Sequence, residues 1–244
     1  MKIDPLGDSA VVIHVADDAK AQGEETLEKV LWISNVLKAQ AIKGVVDVVP
    51  AFNTIGVLYD PAVIVTGGVD SDGIFQWLCE QIKGTLAAAR EHGGLVARAV
   101  RPIVDIPVCY DAEFALDLPD IAQRAGLLQS KVVHLHCAAE YRVQCVGFTP
   151  GFPFLTGLAT ELTTPRRSSP RTEVPAGSVA IGGTQTGIYP QKSPGGWNVI
   201  GRTPLRLFDI TREQPSLLAA GDRVRFRQIS CKEFDDEASH DATR

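Results

Sequence analysis

Very little in this chain belongs to the familiar signatures of catalysis. Its 244 residues contain no GxxxxGK[ST] phosphate loop, no HExxH and no GxSxG. The commonest nucleotide, zinc-peptidase and serine-hydrolase frameworks are therefore excluded. Cysteine is sparse: Cys79, Cys109, Cys137, Cys145 and Cys231 are odd in number, widely scattered and never arranged as CxxC. That spacing argues against a zinc ribbon or a disulfide framework, and no metal site is expected. No apolar run is long enough to span a membrane, and Met1–Asp8 lacks the apolar segment of a secretory signal. A cytoplasmic protein with no membrane partner is the expectation. A net charge of −5 argues against nucleic acid as a general partner.

What is present is an ordinary globular composition, 45% hydrophobic and 22% charged, long enough to bury one large core or two modest ones. The first part reads as a compact α/β unit. Ala10–Val15 is a β-branched run that suits a strand, and Glu24–Ala39 carries Leu27, Val30, Leu31 and Leu37 near helical spacing, with Ser34 a break in the pattern. Val45–Val49 and Thr54–Tyr59 read as strands. Asp70 or Ser71 caps a second helix running to Arg90, with Gly93-Gly94 as its stop. The order β-α-β-β-α is most of a ferredoxin-like unit, and Arg101–Val108 fits either as its last strand or as the first of the next domain. Beyond Pro107 the spacing predicts short helices over Leu118–Ala125, stopped by Gly126, and from a Ser130 cap onward. Tyr141–Val146, Ser178–Gly182, Gly187–Tyr189, Val199–Gly201, Leu205–Asp209 and Asp222–Gln228 read as strands of a barrel or sandwich. The tail from Lys232 is acidic and poor in apolar residues, and is expected to be disordered.

The chemistry concentrates in residues 147–204, which hold 10 of the 22 glycines and 8 of the 15 prolines. Aromatics are interleaved with these turn formers, so the segment reads as several tight turns packed into one shaped surface. It is locally basic: residues 159–206 carry Arg166, Arg167, Arg171, Lys192, Arg202 and Arg206 against Glu161 and Glu173. Guanidinium forks beside Pro165 and Pro170 point to a carboxylate or phosphate guest. The candidate site therefore comprises Arg171, Tyr189 and Gln185 as catalytic residues. Arg166, Arg167, Lys192 and Arg202 are its anion binders, and Phe148, Phe152 and Trp197 its walls. No histidine or carboxylate pair in the segment stands out as a general base, so a second polypeptide is expected to complete the site. His134 and His136, two apart on a helix, read as one exposed and one core residue rather than as a metal pair.

Particular stretches carry a family resemblance: Gly147-Phe-Thr-Pro-Gly-Phe-Pro-Phe-Leu155, Val174-Pro-Ala-Gly-Ser-Val179, Gln185-Thr-Gly-Ile-Tyr-Pro190 and Ser193-Pro-Gly-Gly-Trp-Asn-Val-Ile-Gly-Arg-Thr-Pro204. With Ile106-Pro-Val-Cys-Tyr110 and Gly221-Asp-Arg-Val-Arg-Phe226, they resemble the PxpB/KipI family, long labelled allophanate hydrolase subunit 1. The resemblance covers nearly the whole chain except the acidic tail (232–244) and implies an α+β protein: a small N-terminal α/β domain (1–95), the one whose element order reads as ferredoxin-like, and a cyclophilin-like β-barrel domain (96–231). It also implies work as the PxpB component of an ATP-dependent 5-oxoprolinase, a lactam hydrolase that opens 5-oxoproline to L-glutamate. ATP with Mg2+ would be co-substrate. PxpA-like and PxpC/KipA-like polypeptides would be partners in a hetero-oligomer inactive without them. Two alternatives stand beside it: a KipI-like inhibitor of a sensor histidine kinase, and the carboxyltransferase half of a urea carboxylase/allophanate system.

Overall fold

The computed structural model describes residues 1–17, 23–91 and 102–241. The chain divides into two compact units, 1–100 and 101–244. The boundary expected at 95/96 and the Gly93-Gly94 helix stop lie outside the described residues.

The first unit is an antiparallel sheet of β1 (Lys2–Pro5), β2 (Ala10–His14), β3 (Val45–Pro50) and β4 (Thr54–Tyr59) in the order β1-β2-β4-β3. Its helices are α1 (Glu24–Gln40), α2 (Pro61–Thr66) and α3 (Ile74–Glu91). Alternation along β2 and β4 turns Val11, Ile13, Ile55 and Val57 inward, where they meet Val30, Ile33 and Leu37 of α1 and Leu78 and Ile82 of α3. Asp70, not Ser71, makes the cap before α3, accepting from the Asp72 N–H at the head of a short 3-10 turn. The ferredoxin-like expectation needs correction at one edge. The place beside β2, where that order seats its final strand, is taken by β1, which pairs antiparallel with β2 from Lys2↔His14 to Pro5↔Val11. Val104–Cys109 belongs instead to the second unit.

The strands of that unit are β5 (Val104–Cys109), β6 (Glu140–Val146), β7 (Pro153–Thr156), β9 (Ser178–Gly182), β10 (Gln185–Ile188), β12 (Asn198–Arg202) and β13 (Arg223–Ile229). They form a closed barrel in the order β10-β7-β6-β13-β5-β12-β9. β8 (Arg171–Val174) and β11 (Ser193–Gly195) form a separate two-stranded ribbon. Closure removes the exposed sheet edge. All barrel pairings are antiparallel except β5 with β13. The interior is filled by Ile106, Val108, Val143, Leu155, Val179, Ile181, Ile200, Val224 and Phe226 and capped by α4 (Leu118–Ala125) and α5 (Gln129–Ala138). Gly126, at φ +65°, ends α4 as its sequence predicts. Three readings change. Leu205–Asp209 makes a single bridge, Phe208↔Ser216, rather than a strand. Leu128, not Ser130, stands at the cap position of α5, without a side-chain bond. The acidic tail forms α6 (Cys231–Asp241).

His136 lies in the barrel core and shows how its polar groups are satisfied. Thr186 Oγ1 donates to the Ala180 carbonyl (3.0 Å) and so accepts from His136 Nε2 (3.1 Å). The Tyr110 hydroxyl then donates to His136 Nδ1 (2.8 Å), and the Cys137 thiol donates to that hydroxyl in turn. Burial holds the imidazole neutral, pushing it down to about 3. His134 is exposed.

Candidate functional site

The glycine- and proline-rich segment folds into one hollow of about 310 Å³ on the barrel unit. Phe148, Phe152, Phe154, Tyr189 and Trp197 line it, together with Arg166, Arg167, Pro170, Pro194, Gly195 and Gly196. Its floor is an edge-to-face aromatic stack: Phe152 meets Tyr189 at 5.2 Å between centroids and Trp197 at 5.6 Å, with interplanar angles of 82° and 87°. Two glycines permit this packing. A Cβ on Gly182 would meet the Trp197 indole at 2.5 Å, and one on Gly195 would strike the Tyr189 hydroxyl.

Phe148 stands at the rim, 66% exposed, at φ +68°. The Thr149 N–H donates to the Gly147 carbonyl at 2.8 Å, closing a γ-turn with Phe148 at its centre. That positive-φ turn is rare and strained for a bulky residue, and strain of this kind collects at functional sites. The return bonds Gly147 N–H to Phe152 O and Phe152 N–H to Thr149 O hold the turn in place.

The arginines divide into separate groups. Arg166 is exposed and lies 5.8 Å from the Trp197 ring centroid, a cation–π approach at the cavity mouth. Arg167 also lines the cavity, but its Nη1 donates to Asp117 Oδ1 at 2.7 Å. Arg171 is turned away, gripping the same carboxylate with Nη1 on Oδ2 (2.7 Å) and Nη2 on Oδ1 (2.8 Å). Its charge is thereby spent on a buried partner, which, with the hydrogen bond leading, raises the Arg171 guanidinium further. Asp117 is 1% exposed and takes a fourth bond from the Val199 N–H.

Four expected site residues therefore do not line this hollow. Arg171 is held by Asp117. Gln185 is buried in β10 with its Nε2 unpartnered. Lys192 pairs with Glu173 on the surface at 2.6 Å. Arg202 donates from Nε to the Ala176 carbonyl and stands over the Phe114 and Phe234 rings. The residues brought together are Arg166, Arg167, Tyr189, Phe148, Phe152 and Trp197. Burial pushes the Tyr189 phenol up, against the opposing pull of the Trp197 backbone, Arg166 and Arg171.

Asp117 and Asn198 were not singled out in the sequence. Asn198 Nδ2 donates to the carbonyls of Pro165 (2.9 Å) and Ile181 (3.1 Å), tying the loop that carries both cavity arginines to β9. Arg167 N–H adds a bond to Gly196 O. The result is an apolar, aromatic slot with fixed cations at one side. Among the residues lining it there is no carboxylate and no histidine.

The family model described as carboxyltransferase domain, subdomain C and D, matches residues 1–218. The chain belongs to the PxpB/KipI family, whose curated relatives are B subunits of 5-oxoprolinase. It is 40% identical over 240 residues to the 5-oxoprolinase B subunit of Bacillus subtilis (strain 168), covering 96% of this chain and 95% of that one. It is 39% identical over 226 residues to the 5-oxoprolinase B subunit of Haemophilus influenzae, covering 93% and 97%. Among solved structures, TTHA0988 superimposes with a TM-score of 0.73 at 37% identity, over 91% of this chain and 40% of the length of that one. No helix among the described residues is long and apolar enough to cross a membrane.

Proposed function

We propose that this chain is the PxpB component of an ATP-dependent 5-oxoprolinase, opening 5-oxoproline to L-glutamate with ATP hydrolysis, in a cytoplasmic complex with PxpA-like and PxpC-like partners. The observation that carries the reading is the slot itself. An aromatic floor suits the flat faces of a small ring, and Arg166 and Arg167 at the side suit its carboxylate. At about 310 Å³ the hollow is near the small end of ligand sites and suits the lactam better than a whole nucleotide. ATP with Mg2+ is accordingly assigned to a position shared with a partner, because no lining carboxylate is present to hold a magnesium ion.

Ring opening also needs a proton acceptor, and neither a histidine nor a carboxylate faces the slot. The nearby Asp117 is saturated by two guanidiniums and a backbone N–H. A partner polypeptide supplies the base, and the exposed, strained Phe148 marks the rim against which it closes. Within this reading Arg166 binds the guest, Arg167 supports it, and Arg171 acts by positioning Asp117 and Arg167. The family model's description favours carboxyl transfer as a second reading, and that reading requires a biotin-bearing partner.

The test is reconstitution of the full chain with purified PxpA-like and PxpC-like partners. Phosphate release that depends on both 5-oxoproline and this chain supports the proposal. Activity dependent on a biotin carrier favours carboxyl transfer, and capture of a sensor kinase with no 5-oxoproline-dependent turnover favours the inhibitor.

A further inference from the structure

A second cluster of chemically competent side chains lies at another corner of the barrel unit. Cys109 ends β5, and Cys231 opens α6 just after β13. These two strands are parallel neighbours with Ile229 opposite Cys109, so the chain leaving β13 reaches Cys231 beside Cys109. The two Sγ atoms are 3.5 Å apart. Beyond β5 the N–H groups of Phe114 and Ala115 both donate to the Asp111 carbonyl, curling this turn back toward α6. Asp111 Oδ2 then lies 2.8 Å from Cys231 Sγ, and Glu113 Oε1 lies 3.2 Å from it. A Phe114–Phe234 ring stack at 4.6 Å holds the helix against the turn.

Hydrogen bonding explains only part of this crowding, because one thiol proton satisfies one carboxylate at a time. Among the described residues, no lysine or arginine forms an ion pair with Asp111 or Glu113. Arg202, which stands over the neighbouring rings, spends its Nε on Ala176. The donor atoms of Cys109, Asp111 and Cys231 all lie within 4.8 Å of one another. Tetrahedral zinc with sulfur at about 2.3 Å and oxygen at about 2.0–2.2 Å sets its ligands roughly 3.5–3.8 Å apart, so the contacts around Cys231 Sγ have to open by less than about 1 Å, while Glu113, outside the group of three, has to swing toward Cys109 and Asp111. Cys109 is fully buried, whereas Asp111 and Glu113 are exposed, which leaves an entry side.

We propose that Cys109, Asp111 and Cys231, with Glu113 as fourth ligand, bind a tetrahedral divalent cation of the zinc class. Thiolate donors select zinc over magnesium or calcium. Binding exchanges the two thiol protons, released to solvent, for one dication, with no change of oxidation state. The ion would clip α6 to the barrel and stiffen the turn that leads to Asp117, the carboxylate behind the cavity arginines. It is independent of the reading given to the aromatic slot.

The experiment uses the full chain, reduced and stripped with a chelator, titrated with Zn2+ against a competing chromophoric chelator and separately with Co2+. One equivalent is expected, with Co2+ showing thiolate charge transfer and tetrahedral d–d bands, and proton release on Zn2+ uptake. Cys231→Ser, at a half-buried helix start, weakens binding at least about tenfold, and so does Glu113→Gln to a lesser degree. Cys79→Ser, in the other unit, leaves it unchanged. Absence of stoichiometric uptake overturns the proposal. So does uptake indifferent to both cluster variants, or a Cys109–Cys231 disulfide that re-forms in preference to metal binding.

Discussion

The carboxylate of Asp117 takes both prongs of the Arg171 guanidinium, at 2.7 and 2.8 Å, from a residue 54 positions away in the chain. This buried fork joins the start of α4 to the start of β8 and, through Arg167 and the Val199 N–H, to the cavity and β12. Removing Asp117 leaves two part-buried guanidiniums and the buried Val199 N–H without their acceptor. Asp117→Ala is therefore expected to destabilise the protein by about 1–3 kcal/mol, seen as a lower urea midpoint. Arg171→Lys keeps the charge but not the fork and recovers only part of the loss. Wild-type stability in either variant would show that the network is ornamental.

Arg166 makes the opposite prediction. It is exposed and touches an aromatic face, so Arg166→Ala is expected to change stability by no more than about 0.5 kcal/mol. In the reconstituted complex the same variant is expected to lower 5-oxoproline-dependent turnover at least about tenfold, the cost of roughly one charge-assisted hydrogen bond. Steady-state kinetics beside a denaturation curve separates the two effects.

Gly182 tests the cavity floor. A methyl group there collides with the Trp197 indole, which is itself pinned against Phe152. Gly182→Ala is expected to cost about 1–3 kcal/mol and to displace the indole. Trp197 fluorescence in a variant lacking the other two tryptophans, Trp32 and Trp77, reports the shift, and an unchanged spectrum would argue that the wall is loose.

Acid should weaken the barrel through His136. Its folded-state value is pushed down to about 3 from an ordinary 6.5 by burial. Between those values the unfolded chain binds a proton that the native barrel excludes. The stability present above pH 6.5 is lost as pH falls, with a slope approaching about 1.4 kcal/mol per pH unit. Denaturation midpoints measured from pH 7 to 5 for wild type and His136→Gln should diverge, with the variant flatter. Parallel curves would remove His136 as the source.

The aromatic walls and the turn density were legible in sequence because both are local: Phe148, Phe152, Tyr189 and Trp197 sit within one glycine- and proline-rich stretch and end in one hollow. The arginines were legible as a cluster but not in their roles. Arg171 reads as a free anion binder until the fold brings Asp117 to it, and no local pattern announces a partner so distant. Arg202 was grouped with them by proximity in sequence, yet its bonds run to Ala176 and to rings on the α6 side. The α6 helix, by contrast, carried a signal that its acidity obscured. Ser230-Cys-Lys-Glu233 is a capping box, with Glu233 Oε2 accepting from the Ser230 N–H at 2.9 Å and Ser230 Oγ accepting from the Glu233 N–H at 3.3 Å. Phe234 then supplies the one apolar anchor the segment needs. In the first unit Lys2–Pro5 carries little strand signal by composition, and pairing with β2 makes it a strand.

The most direct measurement is isothermal titration of 5-oxoproline into the complex assembled from this chain and its PxpA-like and PxpC-like partners, alongside the chain alone. Binding is expected to be weak or undetectable with the chain alone, clear in the complex, and lost from the complex carrying Arg166→Ala. Equal affinity for the Arg166→Ala complex, or full binding by the two partners without this chain, would contradict a guest held against the arginine edge of the aromatic slot.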